Sequence, residues 1–296
     1  MNELISIEEL SAASPLFRGK AGNAFALWLK RVLKVDQIEA HARELSVFQG
    51  PEFARAINEA AGINYTVNGL SREDALEHFR GLLPEGPFIT ISNHTMGALD
   101  GISLIDFFGH LREDYKYMVN ELLWRVEPLR DNLISVTPRG TSAVAPTVQS
   151  ISGIRAAKEH LEAGGVLGLF PSGAVSDLKF GSRPVFPSPN GDGSSFAEPK
   201  VRDREWQMSI IRFIAKTGVP VLPLRFLDGN SRFYYSLGLI DWRLRLLRLP
   251  TELLNKAGKT VRLLAGPVIP PSQIASFTSP EDLRTFLRAS VYSLTE

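Results

Sequence analysis

The sequence contains no cysteine. That excludes a disulfide framework, a thiolate-ligated zinc or iron–sulfur centre and a thiol nucleophile. It is compatible with a reducing, cytosol-facing home. No run of about 18 apolar residues occurs either, so no conventional membrane-spanning helix is expected. The first ten residues, Met-Asn-Glu-Leu-Ile-Ser-Ile-Glu-Glu-Leu, are acidic and lack the basic and apolar regions of a signal peptide. Asn64 and Asn93 begin Asn-x-Thr sequons, which read as accidental without a secretory signal. Charge of one sign is missing too. Lys and Arg number 33 against 32 Asp and Glu, a formal net charge of +1, which gives no argument for a nucleic-acid partner. A Walker P-loop, a G-x-G-x-x-G turn after the first strand, an H-E-x-x-H helix and a G-x-S-x-G nucleophile elbow are all absent. Nucleotide-binding and zinc-hydrolase readings lose their warrant, and no metal is expected.

What is present is an ordinary globular composition. Hydrophobic residues at 44% and charged residues at 22% of 296 positions exclude global disorder and allow a sizeable core. Residues 1–80 read as helical. Val35, Ile38, Ala42 and Leu45 follow helical spacing, and Pro51 suits the first turn of a helix over Gly50–Ala61. After residue 80 the pattern alternates. Strands are expected at Phe88–Ser92, Lys116–Val119, Leu133–Thr137, Gly165–Phe170, Val219–Phe226 and Thr260–Ala265. Helices are expected at Gly97–His110, Ala145–Ala163, Arg204–Thr217, near 240–256 and at Glu281–Leu294. Such alternation predicts an α/β fold: a mostly parallel central sheet flanked by helices, with an N-terminal helical subdomain. The expected division is a helical segment at 1–80, partly at a membrane interface, and an α/β domain at 81–296. A Gly/Pro/Ser-rich loop occupies 181–199 of that domain.

Two stretches are basic and amphipathic. Residues 15–34 carry Arg18, Lys20, Lys30, Arg31 and Lys34 and no acid, with Phe25, Trp28, Leu29 and Val32 on one helical stripe. Residues 232–248 carry Arg232, Arg243, Arg245 and Arg248 against Asp241, with Trp242 among leucines. The pattern suits an anionic lipid surface. It equally suits helices packed on the domain with a solvated basic face.

The chemistry-bearing residues cluster where strands end, the place where α/β sheets bind ligands. Asn93-His94 follows the strand Phe88–Ser92, and Asp100 lies six residues beyond His94, within the first turns of the next helix. A carboxylate folding back onto the imidazole fixes its tautomer and frees the other nitrogen as a base. A turn histidine beside an N-cap acid would give the same spacing. Phe170-Pro171-Ser172-Gly173 follows a second strand, where a tight turn can present backbone N–H groups to an oxyanion or phosphate. Asp228-Gly229-Asn230-Ser231-Arg232 follows a third. Arg139 follows a fourth, placed to clamp a phosphate or carboxylate or to serve on the surface.

These blocks, in this order, resemble the glycerolipid acyltransferase superfamily. The spacing resembles its bacterial hemolysin-like and ornithine-lipid-type branch, whose motif reads N-H-P-x-G-x-x-D-G. Asn93, His94, Gly97, Asp100 and Gly101 match, with Thr95 in place of proline. Phe170, Pro171, Gly173, Val175 and Ser176 match its Phe-Pro-Ala-Gly-Glu-Val-Ser block. Gly229-Asn230-Ser231-Arg232-Phe233, the run from Leu249 to Thr260, and Gly266-Pro267-Val268-Ile269 are also similar. The resemblance spans roughly residues 70–272.

It implies transfer of a fatty acyl group from acyl carrier protein (acyl-ACP) or acyl-coenzyme A (acyl-CoA) to a hydroxyl of a lyso-lipid or related acceptor. His94 and Asp100 would be catalytic. Asn93, Gly97, Arg139, Phe170, Pro171, Ser172, Gly173, Asn230 and Ser231 would bind substrate. No cofactor is implied beyond the thioester co-substrate, and the place of work would be the cytoplasmic face of the inner membrane, held peripherally. Two acids of the family pattern are replaced, by Ser172 and Ala174. Because that block helps bind glycerol phosphate in the wider family, the replacements weaken the case for glycerol phosphate or lysophosphatidic acid as acceptor. They also motivate two other readings: an inactive lipid-binding protein of the same fold, and a serine esterase using Ser172.

Overall fold

The computed structural model describes residues 15–32, 35–119, 126–136, 148–179, 200–240 and 242–296, with Glu8, Ser11 and Trp124 besides. Three helices come first: α1 (Gly19–Val32), α2 (Val35–Glu44) and α3 (Gly50–Ala60). Lys30 and Arg31 sit in the last turn of α1, where cations complement the helix dipole. Pro51 opens α3, where a missing N–H costs nothing.

A hairpin follows, β1 (Asn64–Val67) and β2 (Leu70–Ser71), and then α4 (Arg72–Phe79), capped by the Ser71 hydroxyl accepting from the Asp74 N–H. The expectation of helix throughout 1–80 is therefore corrected. Asn68 and Gly69 both take positive φ, 50° and 78°, which is what a two-residue hairpin turn demands. The hairpin joins the sheet rather than the helices, because Tyr65 and Val67 alternate into the core and β1 pairs in parallel with a strand near the C-terminus.

The α/β part continues as β3 (Phe88–Ser92), α5 (Ala98–Leu111), β4 (Tyr115–Val119), β5 (Leu133–Ser135), α6 (Val148–Glu162) and β6 (Val166–Leu169). Next come β7 (Asp177–Lys179), β8 (Lys200–Arg202), α7 (Met208–Thr217) and β9 (Val221–Phe226). The chain ends with α8 (Arg232–Ile240), α9 (Trp242–Leu254), β10 (Thr260–Ala265), α10 (Pro271–Ala275) and α11 (Pro280–Tyr292). The eight-stranded sheet has the order β2-β1-β10-β9-β3-β6-β4-β5. Within this sheet, among the described residues, only the pairs β1–β2 and β9–β10 are antiparallel, so the expected mostly parallel sheet flanked by helices is what forms.

β3 is central and buried along its whole length. Its side chains alternate between two cores, as strand geometry requires. Phe88 faces a core with Phe53, Phe79, Phe107 and Phe108 from α3, α4 and α5. Ile89 and Ile91 face the other, with Ile211, Ile214 and Leu287 from α7 and α11. β9, β3 and β6 are neighbours and parallel, so their carboxyl ends open on one edge. α5 is fixed beneath that edge by Asp106, whose carboxylate accepts from Arg72 at 2.6 Å and from Asn58 at 3.4 Å. Burial alone would raise the Asp106 carboxyl; the His110 and Arg72 contacts outweigh it and hold the group below its ordinary range.

Candidate active site

The loop leaving β3 places His94 at the open edge. Its ring Nδ1 lies 2.9 Å from Asp100 Oδ2, on the first turn of α5. The same oxygen accepts from the Met96 N–H at 2.8 Å and the Gly97 N–H at 3.2 Å, the reach-back half of a capping box. This contact needs a chain reversal between the two residues, and Gly97 supplies it at φ +81°. A Cβ at Gly97 would also meet Leu249 Cδ2 at 2.8 Å, so the position is glycine for two reasons.

Asp100 is fully buried, and among the described residues its Oδ1 has no hydrogen-bond partner. Burial pushes its carboxyl above the ordinary value; His94 and the two amides pull the other way without cancelling it. The His94 side chain keeps 13% exposure, and among the described residues its Nε2 has no hydrogen-bond partner. Phe170, just after β6, lies flat on the imidazole, with centroids 3.8 Å apart and planes 16° from parallel. Tyr117 of β4 supports Phe170 from behind at 4.7 Å. The ring is thereby held on one edge by Asp100 and on one face by Phe170.

The sequence model of the family described as Acyltransferase matches residues 10–177. The chain belongs to the acyltransferase family. It is also similar to two curated proteins, each named lyso-glycine lipid O-acyltransferase. The one from Phocaeicola vulgatus is 25% identical, the match covering 98% of this chain and 95% of that protein. The one from Bacteroides thetaiotaomicron is 23% identical over 90% of this chain and 88% of that protein. The matches run almost the full length of this acyltransferase, so they include the N-terminal helices and the C-terminal part as well as the motif blocks.

Several residues expected to bind substrate are occupied within the acyltransferase itself. Asn93 stitches β3 to β9: its Nδ2 donates to Phe226 O at 2.8 Å and its Oδ1 accepts from Phe226 N–H at 2.7 Å. Ser172 is buried, and its hydroxyl donates to Ala174 O at 2.7 Å. Among the described residues it makes no bond to His94, which removes the geometric support for a serine esterase. Pro171 O accepts from the Gln207 N–H at 2.9 Å, and the Gly173 N–H donates to Phe170 O at 2.9 Å. Asn230 Nδ2 donates to Met96 O at 3.3 Å. Ser231 caps α8, accepting from the Tyr234 N–H while donating to Glu252 Oε1 at 2.7 Å. Arg139 and the loop at 181–199 lie outside the described residues.

The structure also recruits residues not expected at the site, of which Glu252 and Lys256 lie in the similar run from Leu249 to Thr260 and Tyr235 in no motif block. Glu252 is buried and holds Ser231 and Arg248. Lys256 donates to Gly229 O at 2.6 Å, and burial lowers its ammonium below the ordinary range. The Tyr235 hydroxyl donates to Thr95 O at 2.7 Å. Two cations counted as membrane-facing are internal instead. Lys30 is buried against Glu39 of α2, with 3.8 Å between charges. Arg245 is buried against Asp177 at 2.6 Å and donates to Ser176 O and Val175 O, tying α9 to the Phe170 turn. Amphipathic helices bury some of their cations when an acid waits in the neighbouring element.

Proposed function

We propose that this acyltransferase moves a fatty acyl group from an acyl thioester, carried by acyl carrier protein or coenzyme A, to the hydroxyl of a lyso-lipid. One observation above all supports the reading: His94, held by Asp100 on Nδ1 and by Phe170 on its face, presents at the carboxyl edge of the sheet an Nε2 with no hydrogen-bond partner among the described residues. In the proposed step Nε2 takes the acceptor's hydroxyl proton as its oxygen attacks the thioester carbonyl. The tetrahedral intermediate collapses, the C–S bond breaks, and the imidazolium returns the proton to the leaving thiolate. The ester and a free thiol result, with no acyl-enzyme and no cofactor beyond the thioester. In the Phe170–Gly173 turn Pro171 has no N–H and the Gly173 amide is bonded, so the Ser172 amide is the turn's candidate donor to the oxyanion.

The names of the two relatives point to the lyso-glycine lipid class as acceptor. Purified protein given a long-chain acyl thioester and a lyso-glycine lipid should form the O-acylated lipid, read by mass spectrometry. Product from lysophosphatidic acid alone would sink the assignment of acceptor. Lyso-lipid binding without turnover, across donors, would favour the inactive lipid-binding reading.

The proposed place of work is the cytoplasmic face of the inner membrane, held peripherally. Among the described residues no helix is long and apolar enough to cross a membrane. α1 instead exposes Phe25, Leu27, Trp28 and Val32, and Phe25 stacks between Phe17 and Trp28. Lys20 and Arg31 are exposed on the same helix. The protein should float with vesicles rich in phosphatidylglycerol at low salt. Trp28→Ala with Lys20→Gln and Arg31→Gln should abolish flotation. Flotation that survives this triple change would show that α1 is not the contact.

A further inference from the structure

Asp203 follows β8 and lies beyond the residues that the family model matches. It is 2% exposed, and among the described residues no cation forms a salt bridge with it. Three neutral donors converge on its carboxylate. Oδ1 accepts from the His94 backbone N–H at 3.1 Å and from the Ser176 hydroxyl at 2.6 Å. Oδ2 accepts from the Trp206 indole N–H at 3.0 Å.

The main chain of Asp203 is held as well. Its N–H donates to the Tyr292 hydroxyl at 3.0 Å, and its carbonyl accepts from Arg288 Nη2 at 3.1 Å, both from α11. Ser176 closes a ring, because its own N–H donates to His94 O at 2.6 Å. Both polar groups of the His94 main chain are thus fixed by the Asp203–Ser176 unit.

Burying a carboxylate without a cation is expensive. A neutral side chain would satisfy one or two of these donors, but only an acceptor-only group satisfies all three on two oxygens. An asparagine would turn its NH2 towards at least one N–H or O–H. Charge-assisted bonds are also the stronger kind. Charge-assisted restraint therefore falls on the backbone of the residue that carries the imidazole.

We propose that Asp203 is a positioning residue for acyl transfer: it locks the His94 main chain to the Ser176 turn, so that the imidazole meets Asp100 at Nδ1 and Phe170 at its face. Asp203 touches neither the ring nor substrate; it acts through His94. The proposal rests on His94 being the general base, and the test separates the two ideas.

Asp203→Asn should lower kcat by about 10–100-fold, since small displacements of a catalytic group cost on this order, while KM for the lyso-lipid stays within about two-fold. The second readout needs no substrate. Nitrogen-15 NMR of the histidine rings, with the His94 signals assigned through His94→Ala, follows the Nδ1–H bonded to Asp100. In wild type that proton should exchange slowly; in Asp203→Asn it should broaden or exchange freely. Ser176→Ala keeps the carboxylate but removes one tie, and serves if Asp203→Asn does not fold. It should lower kcat about 3–10-fold and move the ring signal the same way.

Wild-type kcat in Asp203→Asn, with His94→Ala inactive, overturns the proposal. So does a fall in kcat with an unchanged ring signal, which would mark a role elsewhere. If Asp203→Asn is unfolded, Ser176→Ala with wild-type kcat and an unchanged ring signal overturns it. If the ring loosens while His94→Ala keeps its turnover, Asp203 positions His94 and the general-base reading is what fails.

Discussion

His94→Gln is expected to reduce acyl transfer by about 10²–10⁴-fold, the usual worth of a positioned general base. Glutamine is the more telling substitution because of Asp100. The buried carboxylate has three bonds, to His94 Nδ1 and to the amides of Met96 and Gly97, all on Oδ2. Alanine removes one and leaves the charge less satisfied, so His94→Ala should lose some thermal stability along with activity. The glutamine amide keeps a donor near Asp100 but has no basic nitrogen at neutral pH. Turnover should therefore vanish while the melting temperature stays within a few degrees of wild type. The assay is thioester consumption with lyso-lipid, run beside a circular-dichroism melt. A glutamine variant that turns over at the wild-type rate would remove His94 from the mechanism.

Asp100→Asn should cost activity on a similar scale, about 10²–10⁴-fold, without unfolding the protein. In the proposed step, the imidazolium has Asp100 as its only bonded counter-charge among the described residues, at 2.9 Å. An asparagine oxygen in the place of Oδ2 still accepts from Met96, Gly97 and Nδ1–H, so the geometry survives while the charge does not. Stability moves differently. The carboxyl has its pKa raised in the fold, so ionised Asp100 weakens the folded state as pH rises above the ordinary aspartate value. A neutral isostere relieves that cost. Against this, the asparagine NH2 takes the place of Oδ1, which has no partner, and stays unsatisfied. The two effects oppose, and the melting temperature should change little between pH 6 and pH 8. Activity lost with the melt intact separates this outcome from misfolding. Retained activity would show that Nδ1 needs no charge behind it.

The legible parts of this protein are those written locally. Strands β3, β4, β5, β6, β9 and β10 fall inside or within one residue of the runs expected for them, and the central β3 and β6 are buried at every position, as a parallel sheet covered on both faces requires. His94 and Phe170 stand directly beyond strand ends, so their presence at the open edge follows once the strands are known to be parallel. The hairpin at Asn68-Gly69 was legible too, but two short strands were outweighed by the helical residues around them. β7 and β8 flank the long loop, pair among the described residues only with each other, and carry no apolar run.

Charge was the least legible property. Counting cations marked residues 232–248 as a basic surface, yet Arg245 is internal because Asp177, 68 residues earlier, comes to meet it. Lys30 is spoken for by Glu39 in the same way. A sequence records how many charges a segment has, but solvation and pairing are settled by the neighbouring element. The substrate-binding expectations for Asn93, Ser172 and Asn230 met the same limit. A polar residue in a motif block is as readily a stitch between strands as a hand on a ligand, and only its hydrogen bonds tell which.

The sequence by itself determined the layered α/β architecture, the strand ends where the motif residues stand, and the spacing that allows one histidine to meet one aspartate six residues on. Spacing along one turn and one helix start suffices for that pair, since Gly97 is the only conformational requirement between them. Only the tertiary structure decided what surrounds the pair. Phe170 reaches the imidazole from a neighbouring strand, and Asp203 reaches the His94 amide across 109 residues of chain. Such contacts are fixed by the order and register of strands, which hydrophobic periodicity does not encode.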